Sequence, residues 1–281
     1  MLLSVIIPTC NRNDLLKKCL DALHPSIQNF AIDNYEIIVS DDSKENIAKE
    51  LVETDYNWVK WISGPKKGPA ANRNNGARYA NGDWLVFLDD DVLPSTDFLA
   101  NYHKGINSNH NVKAFEGAII PDDWDLLKKD LAECPINTNG NCFWTANVAI
   151  NKELFFLIEG FDDSFHIAAQ EDQDIFLRLK EHTKIVFLNY AIVVHPVRTV
   201  SFFKSITSIY KKSRNYIKFT KKHIKKGRGN LLNFSISQWE FHTIHMLKNI
   251  RSFKIKSAIV NICWIFFGVP LNIYLLAKNE I

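Results

Sequence analysis

Three consecutive aspartates, Asp89 to Asp91, follow directly on the apolar run Trp84 to Leu88. Two unit charges about 4 Å apart repel by roughly 4 kcal/mol at an effective dielectric near 20, so such a cluster needs a positive partner. An arginine, the solvent or a metal ion would each serve. On an extended chain, Asp89 and Asp91 project to one side and Asp90 to the other. Two hard oxygen ligands facing one point suit Mg²⁺ or Mn²⁺, which accept one or two carboxylates and complete their shells with phosphate oxygens and water. Solvated acids ending a strand would spell the same letters. His195 closes the apolar stretch KIVFLNYAIVVHP, and its strand-end position makes it a candidate ligand beside the two carboxylates. Glu171, Asp172 and Asp174 open QEDQDIFLRLKEH, where acids in a first helical turn also favour the helix dipole.

The elements that must position these groups read as an alternation. LLSVIIPTCNR is a buried strand stopping at Pro8, followed by an amphipathic helix with Leu15, Leu16, Cys19, Leu20 and Leu23 on one face. YEIIVSDDS is a second strand ending in acids, Ile47 to Val52 a short helix, and WVKWI a third strand. GPAANRNNGARYANG is helical from about Ala70 to Ala80, with Gly82 placed as a C-cap. DWLVFLDDD is the fourth strand. Strands that are apolar without alternation indicate a mainly parallel sheet covered by helices on both faces. Ligands of such sheets collect beyond the carboxyl ends of the strands. Thr9, Asn11 and Arg12, then Asp41 and Asp42, then Asp89 to Asp91, all follow strand ends. Further on, FWTANVAINKELFF reads as a strand feeding a helix, EGFDDSF as a turn, and KIVFLNYAIVVHP as one or two short strands.

At 281 residues the chain is long enough for one large α/β domain with or without an appendage, and 46% hydrophobic with 23% charged residues is an ordinary globular composition. Its five cysteines are scattered and form no CxxC pair, which points away from a disulfide framework or a structural zinc site. The opening MLLSVIIPTCNR lacks a basic n-region and is not read as a signal peptide, so the cytoplasm is the expected compartment. The net charge of +3 is unevenly spread: residues 1–200 hold 19 Lys+Arg against 29 Asp+Glu, and residues 201–256 hold 14 against one, Glu240. A cation suits the acidic part, and phosphate or an anionic surface suits the basic one.

The acidic triplet resembles the DxD motif of nucleotide-sugar glycosyltransferases of the GT-A fold, and the chain is similar to family 2. SVIIPTCNR resembles that family's opening strand and loop, EIIVSDDS its VDDGS motif, and GPAANRNNGARYANGDWLVFLDDD its GxAxARNxG-to-DxD block. ANVAINKELFFLIEGFDDSF resembles the region before the catalytic acid, and QEDQD the ED motif. The resemblance runs over roughly residues 3 to 200. Ser43 departs from it where a glycine is usual, and Thr145 where a glycine often precedes the Ala-Asn pair. It implies that Pro8, Thr9 and Arg12 line the nucleotide pocket. Asp42, with Asp41 beside it, would accept from the base (uracil). Arg73 and Asn74 would flank the nucleotide; Asp89 would reach the ribose, with Asp90 in the same donor-binding set. Asp91 would bind the metal, His195 would contact metal or diphosphate, and Asp172 would be the general base. Glu171, Trp124 and Trp144 are candidate acceptor contacts, although aromatics are more often core.

The expected protein is then an inverting, Mn²⁺- or Mg²⁺-dependent glycosyltransferase. It uses a nucleotide-sugar (UDP-linked) donor and a glycan or polyprenyl-linked acceptor of bacterial surface polysaccharide synthesis. Its GT-A domain, 1–200, has a nucleotide-binding half of about 1–92 and an acceptor-binding half of about 93–200. A nucleotidyltransferase or metal phosphohydrolase, or a non-catalytic membrane-associated module, are the alternatives.

The extension 201–281 begins with the basic, helix-periodic FFKSITSIYKKSRNYIKFTKKHIKKGR. It continues to SAIVNICWIFFGVPLNIYLLA, Ser257 to Ala277, 21 residues without a charge. Asn261, Asn272 and the Gly268–Pro270 break argue for an interfacial or re-entrant helix over a spanning one. The expectation is a peripheral or monotopic enzyme on an anionic inner membrane face, with helix packing on the protein or a homo-oligomer as the alternative. No recognisable nucleic-acid module is present, so nucleic acid is not an expected partner.

Overall fold

The computed structural model describes residues 1–225 and 231–278. Lys226 and Arg228 of the basic arm and Glu280 lie outside the described residues, as do the side chains of Ile224 and Lys225. In chain order the strands are β1 (Leu3–Thr9), β2 (Tyr35–Asp41), β3 (Val59–Ser63), β4 (Trp84–Leu88), β5 (Leu93–Pro94), β6 (Ala114–Pro121), β7 (Ala132–Glu133), β8 (Asn147–Asn151), β9 (Ile185–His195) and β10 (Arg198–Thr199). The helices are α1 (Asn13–Ala22), α2 (Ala48–Asp55), α3 (Pro69–Arg78), α4 (Phe98–Asn107), α5 (Trp124–Leu127), α6 (Lys152–Leu157), α7 (Glu171–Leu179), α8 (Phe202–Lys225), α9 (Leu231–Arg251), α10 (Ile255–Cys263) and α11 (Val269–Lys278). The chain forms two compact units, Met1–Asp122 with Pro135–Pro196, and Asp123–Cys134 with Val197–Ile281.

The first unit is a mixed α/β sheet of order β3-β2-β1-β4-β8-β6-β9-β5. β3, β2, β1 and β4 are mutually parallel; β8 is antiparallel to both β4 and β6, β6 is parallel to β9, and β5 is antiparallel to β9. This is the mainly parallel sheet with helices on both faces expected from the sequence. All residues of β1 and β4 are buried. Their alternate side chains enter different cores: Leu3, Val5 and Ile7 join Leu16 and Leu20 of α1 on one face, while Ile6 meets Ala70 and Ala77 of α3 on the other. Each fully buried Leu, Ile or Val contributes roughly 1.5–3 kcal/mol relative to exposure, which is why an uninterrupted apolar run needs cover on both sides.

Three local expectations are corrected. The fourth strand stops at Leu88, and Asp90 and Asp91 lie in a turn, because the ladders to β1 and β8 end at Phe87 and Leu88. α3 runs from Pro69 to Arg78, and Gly82 is not its cap. A Cβ at Gly82 would come within 2.6 Å of Leu2 O and Ser4 Oγ, so that glycine admits the start of β1. KIVFLNYAIVVH forms one long strand, β9, with a register shift opposite Gly117/Ala118. β6 and α4 had no counterpart in the sequence reading.

The second unit holds α8 to α11, with the π-helical turn Trp264–Gly268 between α10 and α11, and the small antiparallel pair β7–β10. Asp130 caps the start of α10, accepting from Lys256 N at 2.8 Å, Ser257 N at 2.9 Å and Ser257 Oγ at 2.5 Å. His242 stacks on Trp264 at 4.9 Å and 5°, and its Nδ1 lies 2.9 Å from Asn261 Oδ1.

Candidate active site

Strand order brings β2, β1 and β4 side by side with their carboxyl ends on one rim. Asp41, Thr9 and the aspartate triplet therefore arrive together. His195 reaches the same rim because β9 shares the direction of β6, and because β5, entered directly after the triplet, pairs Leu93 with Val194. Asp89, Asp91 and His195 each offer a ligand atom within 4.8 Å of the others, and His195 Nε2 is 3.6 Å from Asp91 Oδ1. His195 Nδ1 lies 3.0 Å from Pro196 O, which can only accept, so Nδ1 donates there and Nε2 is the ring atom left to face the carboxylates. Two carboxylates and one imidazole at these separations fit an octahedral Mn²⁺ or Mg²⁺ that keeps positions for water or phosphate.

Two arginines balance the acids. Arg12 lies 2.6 Å (Nη2) from Asp90 Oδ1 and 3.3 Å (Nη1) from Asp91 Oδ2, and Thr9 Oγ1 donates to Asp90 Oδ2 at 2.7 Å. Asp90 is fully buried, and burial raises its carboxyl to about 6 against the opposing pull of Arg12 and Thr9. Its carboxylate thus ties β1 to β4. Arg73 is 4% exposed and bridges Asp89 at 2.8 Å and Glu171 at 3.3 Å. Burial opposes the Asp89 charge, but the charge and hydrogen bond of Arg73 lead the groups that outweigh it and lower the Asp89 pKa.

Glu171 begins α7, and beside it Asp172 is half-buried. Burial, then the neighbouring Glu171 charge, push Asp172 up to about 7; Glu171 itself is raised by burial. Gln170, before this helix, holds a left-handed φ of 74°, a conformation that a non-glycine residue keeps only where its surroundings enforce it. A carboxyl titrating near neutrality is matched to taking a proton from a hydroxyl.

Other expected contacts have different partners. Asp41 is buried and accepts from Ser43 N at 2.9 Å and Ala48 N at 3.0 Å, which organises the turn into α2. Asp42 accepts from Lys66 N at 2.5 Å and Gly68 N at 2.9 Å, shaping the loop before α3. Gly68 has φ 97°, and a Cβ there would lie 2.3 Å from His166 O, so only glycine fits. Asn74 exchanges both amide hydrogen bonds with the Phe161 backbone, at 2.8 and 2.9 Å, fastening α3 to the loop before α7. Pro8 is buried inside the β1–β2 ladder. Trp144 packs partly buried against the core, and Trp124, 54% exposed, belongs to the second unit.

Sequence reasoning missed Glu116 and Gln173. Glu116, on β6 and 2% exposed, accepts from Asn137 Nδ2 (3.0 Å), Asn141 N (2.5 Å), Cys142 N (3.1 Å) and Phe143 N (2.8 Å). Gln173 Nε2 then donates to Cys142 O at 2.8 Å, so the loop held by Glu116 braces the helix that carries Asp172. An acid inside the apolar run AFEGAII is the signal that would have found Glu116.

A mixed sheet with acids converging at its carboxyl rim is the arrangement expected of a GT-A glycosyltransferase, and the family comparison shows that class. Residues 4–154, more than half of the chain, match Glycosyl transferase family 2, and the chain belongs to that family. Among curated relatives it is 43% identical over 132 residues to the GalNAc(5)-diNAcBac-PP-undecaprenol beta-1,3-glucosyltransferase of Campylobacter jejuni, covering 45% of this chain and 41% of that protein. It is 28% identical over 184 residues to the poly(ribitol-phosphate) beta-glucosyltransferase of Bacillus spizizenii, covering 62% and 28%. The chain thus spans less than half the length of either. In fold it is similar to the Pyrobaculum calidifontis mannosyltransferase PcManGT in complex with GDP-Man and Mn²⁺, at TM-score 0.60 and 19% identity over 98% of this chain and 73% of that one. It is also similar to Staphylococcus aureus TarS 1-349 in complex with UDP-GlcNAc, at TM-score 0.58 and 17% identity over 94% and 91%.

Proposed function

We propose that this family 2 enzyme moves a sugar, with inversion, from a UDP-linked donor to a hydroxyl of a glycan or polyprenyl-linked acceptor, in the assembly of a bacterial surface polysaccharide. The observation that carries this reading is the Arg73 bridge: one guanidinium joins Asp89 of the Asp89–Asp91–His195 cluster to Glu171, next to Asp172. The diphosphate would sit at the cluster, held by Asp91 and His195 through Mn²⁺ or Mg²⁺, with Asp89 towards the ribose. A bound divalent ion supplies charge neutralisation for the departing diphosphate. Asp172 takes the acceptor hydroxyl's proton as that oxygen bonds to the anomeric carbon, while the carbon–oxygen bond to the diphosphate breaks and nucleoside diphosphate leaves. A single base opposite the leaving group gives one displacement, and no carboxylate nucleophile is needed. Residues of about 1–92 would serve the donor and about 93–200 the acceptor. The lipid-linked substrate named for the Campylobacter relative supports an acceptor met at a membrane surface.

A panel of nucleotide-sugars tested for thermal shift with and without Mn²⁺, followed by product analysis, tests the proposal. The expected result is a Mn²⁺-dependent rise in melting temperature with a UDP-sugar and release of UDP. Release of pyrophosphate or inorganic phosphate would replace glycosyl transfer by nucleotidyl transfer or phosphohydrolysis.

A further inference from the structure

Among the described residues, the second unit carries exposed apolar side chains. α9 exposes Ile236, Trp239, Ile244, Leu247 and Ile250, each 46–52% accessible. At 100° per residue these side chains share one side, while His242 turns to the buried side. The next helical stretch exposes Ile255 and then, within the run Ser257 to Ala277 that bears no charge, Ile259, Ile262, Phe266, Phe267, Ile273 and Tyr274. Phe253 projects at the turn between α9 and α10 and is 87% exposed, more than any other large apolar residue among those described.

That turn is also basic and firmly built. Lys248, Arg251 and Lys256 are exposed around Phe253, and no acid occurs between Lys248 and Lys256. Asp130 caps the α10 start, and Lys254 Nζ donates to Leu127 O at 3.0 Å. Phe253 itself occupies a left-handed position, φ 57°, with Lys254 N bonded to Asn249 O at 2.8 Å, the helix-ending geometry in which glycine is the usual residue. A phenylalanine exposed there makes little sense in water. We infer that the α9–α10 turn seats the chain on an anionic lipid bilayer, Phe253, Ile250 and Ile255 entering the interface while Lys248, Arg251 and Lys256 meet lipid phosphates. Charge complementarity selects this occupant, since residues 201–256 hold 14 basic residues and one acid. The helices lie in the membrane plane. A spanning α10–α11 stretch would draw its packing partners α8 and α9 into hydrocarbon, and with them Glu240 and the α8 lysines.

The inference rests on the membrane-surface part of the proposed function, and its test uses neither donor nor acceptor. Full-length protein is floated with vesicles of phosphatidylcholine alone or with one quarter phosphatidylglycerol, at low and high salt. Binding is expected to the anionic vesicles, weakened by salt. Phe253→Gly is expected to weaken it about tenfold, while the melting temperature stays equal or rises, because glycine suits the left-handed backbone. Arg251→Gln with Lys256→Gln is expected to weaken anionic binding about twentyfold and leave neutral vesicles unaffected. Undiminished binding by these variants overturns the assignment. So does a wild-type chain that ignores vesicles but forms a dimer abolished by Phe253→Gly, which would make the face a protein interface. Resistance to alkaline carbonate extraction would overturn the in-plane seat. A UDP-sugar thermal shift that persists whatever the vesicles show keeps the two readings separable.

Discussion

Arg73 and Glu171, 98 positions apart, meet at 3.3 Å, and the same guanidinium holds Asp89 at 2.8 Å. One buried cation therefore couples the acidic cluster at the end of β4 to the first turn of α7. Removing it would leave the buried Glu171 and the half-buried Asp89 without their shared cation, and breaking a buried pair costs about 3–5 kcal/mol. Arg73→Ala is expected to lower the melting temperature and cut the transfer rate at least a hundredfold. Arg73→Lys, which cannot fork between two acids, should recover part of the stability and little of the rate. Melting curves and initial rates on both variants check this.

As the proposed general base, Asp172 should set a pH dependence in the neutral range. With its carboxyl near 7 and the base form required, the rate should climb about tenfold per unit below pH 7 and level off above it. Asp172→Asn should abolish that limb and lower the rate at least a thousandfold.

The same group makes a stability prediction of the opposite sense. Its folded value of about 7 lies above the ordinary 3.8, so between these limits the folded state retains a proton that the unfolded state has lost. Stability from this group is complete below about pH 4 and declines as pH rises through 7. Asp172→Asn should therefore melt above the wild type at pH 8 and no higher than it at pH 4, as calorimetry at the two pH values would show.

The proposed metal site at Asp91 and His195 predicts a loss that chelation and mutation share. Asp91→Asn and His195→Ala should each remove the Mn²⁺-dependent thermal shift and reduce transfer at least a hundredfold, as chelator treatment of the wild type should. Calorimetric titration of Mn²⁺ with UDP reads the effect directly.

Glu116→Ala should destabilise more than a surface change can. It strips the Glu116 acceptor from three backbone N–H groups, the buried Phe143 N–H among them, and one of two acceptors from the Asn137 amide, at about 1–3 kcal/mol for each buried group left unsatisfied. A fall in melting temperature of at least about 6 °C is expected. Faster hydrogen exchange should appear at 137–143 and spread through Gln173 to the start of α7.

Much of the catalytic unit was already written in the sequence. Non-alternating apolar runs ending in Thr9, Asp41 and Asp89 specify parallel strands, because a strand buried on both faces cannot alternate, and parallel strands put their polar ends on one rim. The DxD spacing singled out Asp89 and Asp91 as candidates, although a turn and not an extended strand brings them beside His195. Tertiary structure decided the rest. His195 reaches Asp91 because Leu93 pairs with Val194; Asp90 faces Arg12; Glu116 holds a loop that begins 21 residues later. Those partners lie far apart in the chain and carry no local periodicity. The environment that raises Asp172 likewise exists only once Glu171 and the surrounding core have closed around it, since burial and a neighbouring charge are properties of space and not of sequence order.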